Sequence, residues 1–90
     1  MRLIPSDKTA YRRTPVFTRD SLPPALTRNH STAPGVWGKI HVLHGRLAYE
    51  IDATQEMTVL VPGVDGVIEP GAPHRVEPLG DVSFFVEFYR

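Results

Sequence analysis

Three features of the sequence predict a single domain built from short β-strands. Nine prolines and seven glycines are spread over 90 residues, a density that disfavours long helices and suits strands joined by turns. Runs rich in β-branched and aromatic residues alternate with turn signals about every 8–12 residues. No ten-residue stretch carries apolar residues at a helical period. Together these features are typical of an all-β sandwich or small barrel with one modest core.

We expect these strands to form one domain over residues 1–90, since the sequence shows no linker, internal repeat or low-complexity tract. Residues 1–13 are polar and rich in arginine, and they predict a loosely ordered N-terminal arm. Strands are predicted over residues 14–18, 25–30, 36–44, 47–51, 57–61, 66–69, 74–77 and 82–89.

Gly45 and Arg46 separate two of these runs. A glycine supplies the positive φ that a tight hairpin turn needs. We therefore expect residues 36–44 and 47–51 to form an antiparallel hairpin closed at Gly45.

The last run has one wholly apolar face, made by Val82, Phe84, Val86 and Phe88. Its other face is apolar at two of four positions. Such a strand is covered on both sides, or it turns one face towards a ligand cavity or a dimer contact.

The distribution of charge argues against a nucleic-acid partner. The net charge is zero, but residues 1–30 carry +4 and residues 47–90 carry −6. We expect these two regions to pair in the folded sheet. A nucleic-acid-binding domain would show a basic excess over its whole length and a reading motif, and neither is present.

The absence of cysteine excludes disulfides, Cys-ligated zinc, iron–sulfur clusters and thiol redox chemistry. No apolar run approaches about 18 residues, so no membrane-spanning helix is expected. Residues 1–8 lack the apolar core of a signal peptide. We therefore expect a cytoplasmic protein with no membrane partner.

His30 and His74 are the strongest candidates for a functional site. Each lies where a predicted strand meets a loop, and such positions can converge at the mouth of a β-barrel. His41 and His44 are three residues apart on one strand, which directs them to opposite faces. We interpret these two as ordinary polar residues of a strand.

No enzyme motif is present: the sequence has no glycine-rich phosphate loop, no GxSxG elbow and no HExxH. Two side chains near the histidines could still contribute to a ligand site. Trp37 would stack on a ligand or lie in the core. Arg75 would hold an anion or pair with a carboxylate.

Several short motifs occur in an order and spacing that are together fairly specific. They are Thr14-Pro15-Val16-Phe17, Leu22-Pro23, His30-x-Thr32, Gly35-x-Trp37-Gly38-Lys39, Val42-Leu43-x-Gly45, Glu69-Pro70, His74-Arg75-Val76-Glu77 and Phe88-Tyr89. Over about residues 11–90 the chain resembles the small cupin-like domain of tellurite-resistance-related proteins. That domain occurs alone in some bacteria, or ahead of the methyltransferase in some proteins of the TehB type.

The resemblance implies a cupin-like double-stranded β-helix, an all-β jelly-roll barrel in the cytoplasm, with a metal pocket. His30 falls in the first cupin motif and His74 in the second, so the family pattern implies that they share a divalent metal ion. Zn, Ni, Fe and Mn are not distinguished. Glu77 is the nearest carboxylate in sequence, although its odd spacing from His74 directs it to the other face. Three further residues are expected to shape the pocket: Trp37, Arg75 and Phe85.

The departures from the cupin pattern weaken an enzyme interpretation. The first motif usually carries two histidines and a glutamate, but only His30 is present and Gly38 takes the glutamate position. At least two of the four usual ligands are therefore missing, whereas a tight iron or manganese site normally needs two histidines and a carboxylate. We expect modest metal binding that is lost below pH ~6, because a metal needs neutral imidazoles.

The sequence thus predicts a small binding module for a metal ion or a small ligand, an oxyanion included. The alternative is a metal-dependent cupin enzyme acting on a small molecule. No glycine fingerprint for S-adenosylmethionine lies in these residues. We also expect a homodimer, because the last strand is apolar on both faces and an edge strand at 14–18 could pair across a two-fold axis.

Overall fold

Six β-strands and one 3-10 helix form the fold in the computed structural model, which describes residues 2–90. The fold is all-β and cupin-like, as the sequence predicts. The elements are β1 (Ala10–Arg13), β2 (Phe17–Thr18), the 3-10 helix η1 (Pro24–Thr27), β3 (Trp37–Ile51), β4 (Glu56–Leu60), β5 (Gly66–Ile68) and β6 (His74–Tyr89). No helix within residues 2–90 is long and apolar enough to cross a membrane.

Strands β3 and β6 are the two longest strands, and we call the pair that they form the frame. They pair antiparallel along almost their whole length, from Trp37 opposite Tyr89 to Ile51 opposite His74. The second half of β6 also pairs with β1 and β2, while β3 pairs with β5 near its start and with β4 near its end. The start of β6 and the end of β3 therefore meet at one end of the frame.

The predicted hairpin at Gly45 is wrong, because β3 continues through this residue. Gly45 has φ of 80° and lies between two shifts in the register with β6, so it forms a bulge instead of a turn. A Cβ at this position would overlap the carbonyl oxygen of Asp81 on β6. A glycine with positive φ suits a turn or a bulge equally, and the pairing with a distant strand selects the bulge.

The two strands predicted at 74–77 and 82–89 are also one strand, β6. Pro78 lies opposite Leu47, beside the register irregularity on β3. A proline is tolerated at such a point, because its missing N–H costs no regular ladder bond there.

The strand predicted over residues 25–30 is wrong, since η1 occupies the first half of this segment. Pro24 stands at the start of the helix, where its fixed φ favours a helical turn. Thr27 Oγ1 donates to the Pro24 carbonyl at 2.7 Å and closes that turn. Arg28 after the helix is extended, and His30 forms an isolated β-bridge with His74.

Part of the N-terminal segment is paired with the sheet. Residues 10–13, which the sequence assigns to the arm, form β1 against the end of β6, and all four of its side chains are exposed. Arg2 forms an ion pair with Glu69 at 2.9 Å. The basic start of the chain therefore contacts its acidic second half, as the charge distribution predicts.

The core lies mainly on the inner faces of β3 and β6, with Leu60 of β4 and Ile68 of β5 packed against them. The largest fully buried side chains are those of Tyr49, Phe84, Ile40, Leu47 and Leu60. The apolar face predicted for the last strand is buried at positions 82, 84 and 86, and Phe88 packs partly buried against the same core. This face continues into the cavity described below.

Candidate functional site

His30 and His74 lie side by side at the end of the frame where β6 begins. The N–H of His30 donates to the carbonyl of His74 at 2.8 Å, and the N–H of His74 donates back at 2.7 Å. Their ring centroids are 5.5 Å apart, and the ring planes are close to perpendicular, at 79°. The structure therefore brings together the two histidines that the family resemblance places in one site.

His74 presents a single ring nitrogen for binding. Its Nδ1 lies 2.9 Å from the carbonyl oxygen of Ala72. Because a carbonyl only accepts hydrogen bonds, Nδ1 carries the ring proton and Nε2 carries a lone pair. No residue within 2–90 hydrogen bonds to Nε2, and no fully buried side-chain polar atom of these residues lacks a partner. Nε2 is therefore not fully enclosed by the protein, and His74 is among the residues that line a cavity.

The surroundings of His74 favour the neutral imidazole. The side chain is 5% exposed, and this burial lowers its pKa, with a smaller contribution from the nearby His30. The hydrogen bond to Ala72 acts in the opposite direction and is weaker. The ring of Tyr49 packs 5.8 Å away, while its hydroxyl donates to the Val67 carbonyl at 2.9 Å. At neutral pH His74 is therefore a hydrogen-bond acceptor.

A cavity of about 390 Å³ opens beside the two imidazoles. This volume lies within the range of about 300–1,000 Å³ common for small-molecule sites. Most of its wall is apolar and is made by Phe17, Pro23, Ala25, Leu26, Ile68, Val86 and Phe88. Its polar lining consists of Arg12, Thr14, His30, Thr32 and His74. A smaller hollow of about 230 Å³ adjoins it and shares His30, Thr32, Arg12 and Phe88.

Most of these polar groups already have partners within the protein. The Thr14 hydroxyl donates to the Pro15 carbonyl and accepts a backbone N–H from β6. The Thr32 hydroxyl donates to the Val36 carbonyl and accepts a backbone N–H from a loop. Arg12 is exposed and has no ion pair with the residues that the structure describes. The cavity therefore offers a ligand two imidazoles and one guanidinium.

The predicted carboxylate ligand does not reach this site. On β6 the side chains alternate, so His74 and Val76 are buried while Arg75 and Glu77 are exposed. Glu77 thus lies on the face opposite His74, as its odd spacing implies. Glu77 as a third metal ligand is therefore wrong.

No other carboxylate takes its place. A Cβ at Gly38 would lie 2.9 Å from Cδ1 and 3.2 Å from Cβ of Ile68, so the cupin glutamate at this position would require Ile68 to shift. Within residues 2–90 no group of three His, Asp or Glu side chains could hold a metal ion. The donor set of two imidazoles without a carboxylate does not fit a cupin metal centre.

The three residues expected to shape the pocket also lie elsewhere. Trp37 is buried, and the guanidinium of Arg2 lies 5.7 Å from its ring. Arg75 pairs with Glu50 at 3.0 Å on the outer face. Phe85 stacks on His41, with ring centroids 4.7 Å apart. None of the three lines the cavity beside His74.

His41 belongs to a separate polar cluster on the outer face of β3 and β6. Its Nε2 lies 3.1 Å from Glu87, and its Nδ1 lies 3.6 Å from Asp65. The Tyr89 hydroxyl donates to the same Glu87 oxygen at 2.8 Å. The Tyr89 hydrogen bond, and then His41, lower the pKa of the Glu87 carboxyl. This arrangement agrees with the interpretation of His41 as an ordinary strand residue.

Sequence reasoning missed several residues that line the cavity, above all Arg12, Leu26 and Ile68. The apolar face of the last strand was the one available signal, and it includes Val86 and Phe88. Nothing local marks Arg12, because its position depends on the pairing of β1 with the far end of the chain.

Known proteins are similar to this chain in sequence and in fold. A profile of the TehB-like domain matches residues 12–86. The probable S-adenosyl-L-methionine-dependent methyltransferase TehB of Haemophilus influenzae Rd is 40% identical over 76 residues, which cover 79% of this chain and 27% of that protein. The protein YeaR of Escherichia coli K12 is 27% identical over 99 aligned residues, covering 99% of this chain and 83% of YeaR.

Two crystal structures are similar in fold. A protein from E. coli K12 matches with a TM-score of 0.91 at 24% identity, over 100% of this chain and 97% of that one. TehB from H. influenzae matches with a TM-score of 0.82 at 33% identity, over 93% of this chain and 32% of that one. This chain thus spans about a third or less of the length of TehB. Since the family profile covers most of the chain, including both histidines of the site, the chain belongs to the TehB-like domain family.

Proposed function

We propose that this domain is a binding module for a small organic molecule, which is held in the cavity beside His30 and His74. The observation that carries the proposal is that His74, whose Nε2 has no hydrogen-bond partner within residues 2–90, lines an otherwise largely apolar cavity. Apolar walls contribute about 25 cal/mol for each Å² of ligand surface that they cover. A few oriented polar groups in such a wall then determine which ligand binds.

A divalent cation is the second candidate. It is supported by the hydrogen bond from His74 Nδ1 to a backbone carbonyl, an arrangement common for metal-binding histidines. The donor set holds no carboxylate, so water would fill the remaining positions and binding would be weak. This donor set supports cation binding better than a metal-dependent enzyme.

A fully deprotonated inorganic oxyanion, such as sulfate, is disfavoured beside His74. The neutral ring carries a lone pair on Nε2, and a lone pair repels an anion that has no proton to donate. Arg12 is the one charged group among the lining residues, and it lies on the exposed strand β1.

A ligand-observed NMR screen of small aromatic and aliphatic fragments tests the proposal. Leu26 lines the cavity, so Leu26→Trp fills it; Leu43 is 53% exposed outside the cavity, so Leu43→Trp is the matched control. We expect fragments to bind the wild type and Leu43→Trp, and to bind Leu26→Trp at least tenfold more weakly. The proposal fails if no fragment binds the wild type, or if Leu26→Trp binds equally well.

We also propose a homodimer, with a contact that differs from the sequence prediction. The second face of β6 is covered within the chain, because Phe85 lies between His41 and Arg13. Strand β4 lies at the edge of the sheet and exposes Met57 and Val59, at 59% and 45%. Light scattering should give about twice the 10.1 kDa of one chain, and Met57→Lys should reduce it. A mass near 10 kDa at tens of micromolar would contradict the dimer.

A further inference from the structure

Resting on the proposed function, we infer that the ligand is a small hydroxylated carboxylic acid with a mainly apolar body. Its hydroxyl donates to Nε2 of His74, and its carboxylate pairs with the guanidinium of Arg12 at the cavity mouth. The inference comes from placing the acceptor of His74 and the charge of Arg12 in the wall of one cavity.

The hydroxyl follows from the tautomer of His74. The Ala72 carbonyl holds the proton on Nδ1, which leaves a lone pair on Nε2 of a ring that lines the cavity. A ligand atom that meets this lone pair must donate a hydrogen. An alcohol or a phenol donates one, whereas an ether or a carboxylate at the same point does not.

The carboxylate follows from the charges that line the cavity. Arg12 pairs in register with Phe88, and both residues line the cavity and the adjoining hollow. No acidic residue is among the lining residues, and Arg12 has no ion pair within residues 2–90. A free guanidinium binds a planar carboxylate through two parallel hydrogen bonds. The same charge repels a cationic ligand.

The apolar body follows because the rest of the cavity wall has few free hydrogen-bonding groups. The hydroxyls of Thr14 and Thr32 each already donate one hydrogen bond and accept another. The remaining wall is hydrocarbon, with Phe17, Leu26 and Phe88 packed against the core. A sugar would leave several hydroxyls unpaired against this wall, at a cost of about 1–3 kcal/mol each. A single hydroxyl on a ring or short chain leaves none.

Calorimetry with three matched probes tests the inference. 4-Hydroxyphenylacetate carries both groups, 4-methoxyphenylacetate lacks the donated hydrogen, and 4-hydroxyphenylacetamide lacks the charge. We expect the first to bind at least tenfold more tightly than either of the others. Equal affinities for the hydroxy and methoxy acids would overturn the role of His74, and equal affinities for the acid and amide would overturn that of Arg12.

Paired variants assign each preference to its residue. His74→Phe should remove the preference for hydroxyl over methoxy, and the exposed His44→Phe should retain it. Arg12→Gln should remove the preference for acid over amide, and the exposed Arg46→Gln should retain it. Arg12 is exposed, so its variant tests the inference even if His74→Phe fails to fold. Loss of either preference in a control variant would contradict the assignment.

The outcomes separate this inference from the proposed function. In one outcome, other fragments bind and Leu26→Trp abolishes their binding, but the three probes bind equally well. This result overturns the ligand class and leaves the proposed binding module intact. Absence of any binding that responds to Leu26→Trp overturns both.

Discussion

His74 and His41 both pack against the frame formed by β3 and β6, but they lie on opposite faces of it. His41 has carboxylates near both ring nitrogens, at 3.1 Å and 3.6 Å, and a phenyl ring stacked on one side. His74 has one nitrogen hydrogen bonded to a backbone carbonyl and no partner for the other within residues 2–90, and it lines a cavity. His74 is also the more deeply buried of the two. The two environments thus place a carboxylate near each ring nitrogen of His41 and leave Nε2 of His74 without a hydrogen-bond partner among residues 2–90.

This difference shows how a functional histidine can be told from a structural one. A satisfied side chain contributes to stability and has nothing to offer a ligand. A buried side chain with one free nitrogen is held in orientation by its other nitrogen, and burial tunes its protonation state. The predictions below test whether these two roles are separate, from the largest expected effect to the smallest.

The bulge at Gly45 shifts the inward-facing positions of β3 from even residues, Ile40 and Val42, to odd ones, Leu47, Tyr49 and Ile51. Gly45→Ala puts a side chain at a positive φ, and its Cβ overlaps the Asp81 carbonyl. We therefore expect the free energy of unfolding to fall by about 3 kcal/mol or more. Gly80→Ala also puts a side chain at a positive φ, but no atom outside its chain neighbours lies within 4 Å of the added Cβ. It should cost at least about 1 kcal/mol less. Urea unfolding measures both, and equal losses would contradict the role given to the bulge.

The outer cluster should affect stability and leave binding unchanged. His41→Leu breaks a half-buried hydrogen bond to Glu87, so we expect the free energy of unfolding to fall by about 1 kcal/mol. A double-mutant cycle with Glu87→Gln should give a coupling of about 0.5–1 kcal/mol. The affinity for 4-hydroxyphenylacetate should stay within twofold of the wild type. A tenfold loss of affinity in His41→Leu would break the separation of the two sites.

The smallest expected effect is a pH dependence of stability that His74 causes. Burial lowers the pKa of His74 in the folded state below its unfolded value of about 6.5. Between these two values the unfolded chain binds more protons, so stability should fall as the pH is lowered from about 6.5 towards the folded pKa. Below the folded pKa, the titration of His74 should cause no further change in stability. The groups that face His74 are His30 and Tyr49.

Urea unfolding at a series of pH values measures this slope. His74→Phe should reduce the slope below pH 6.5, and the exposed His44→Phe should leave it unchanged. An identical slope in His74→Phe and the wild type would contradict the burial of a neutral imidazole.

The sequence predicted the fold class correctly because short apolar runs and turn residues are local signals. It failed where the same local signal fits two structures. Gly45 suits a hairpin or a bulge, and only the pairing with β6, about 35 residues away, decides between them. Residues 25–30 look extended, yet two prolines and a threonine bond close a helical turn there.

The site could be predicted only in part for the same reason. Family motifs placed His30 and His74 together, and alternation along β6 argued against Glu77. The cavity wall depends on Arg12 from the N-terminal strand and Leu26 from η1, which reach the site through long-range packing. Trp37, Arg75 and Phe85 were near the motifs in sequence, but their side chains pack elsewhere.

The central claim is that His74 is a neutral imidazole with its proton on Nδ1 and its Nε2 facing a ligand cavity. Long-range ¹H–¹⁵N correlation spectra of the ring nitrogens at pH 7.5 test it directly, with His74→Phe to assign the signals. The account predicts the Nδ1–H tautomer for His74, and a shift of its Nε2 signal on addition of 4-hydroxyphenylacetate. An imidazolium or an Nε2–H tautomer in the free protein would contradict it.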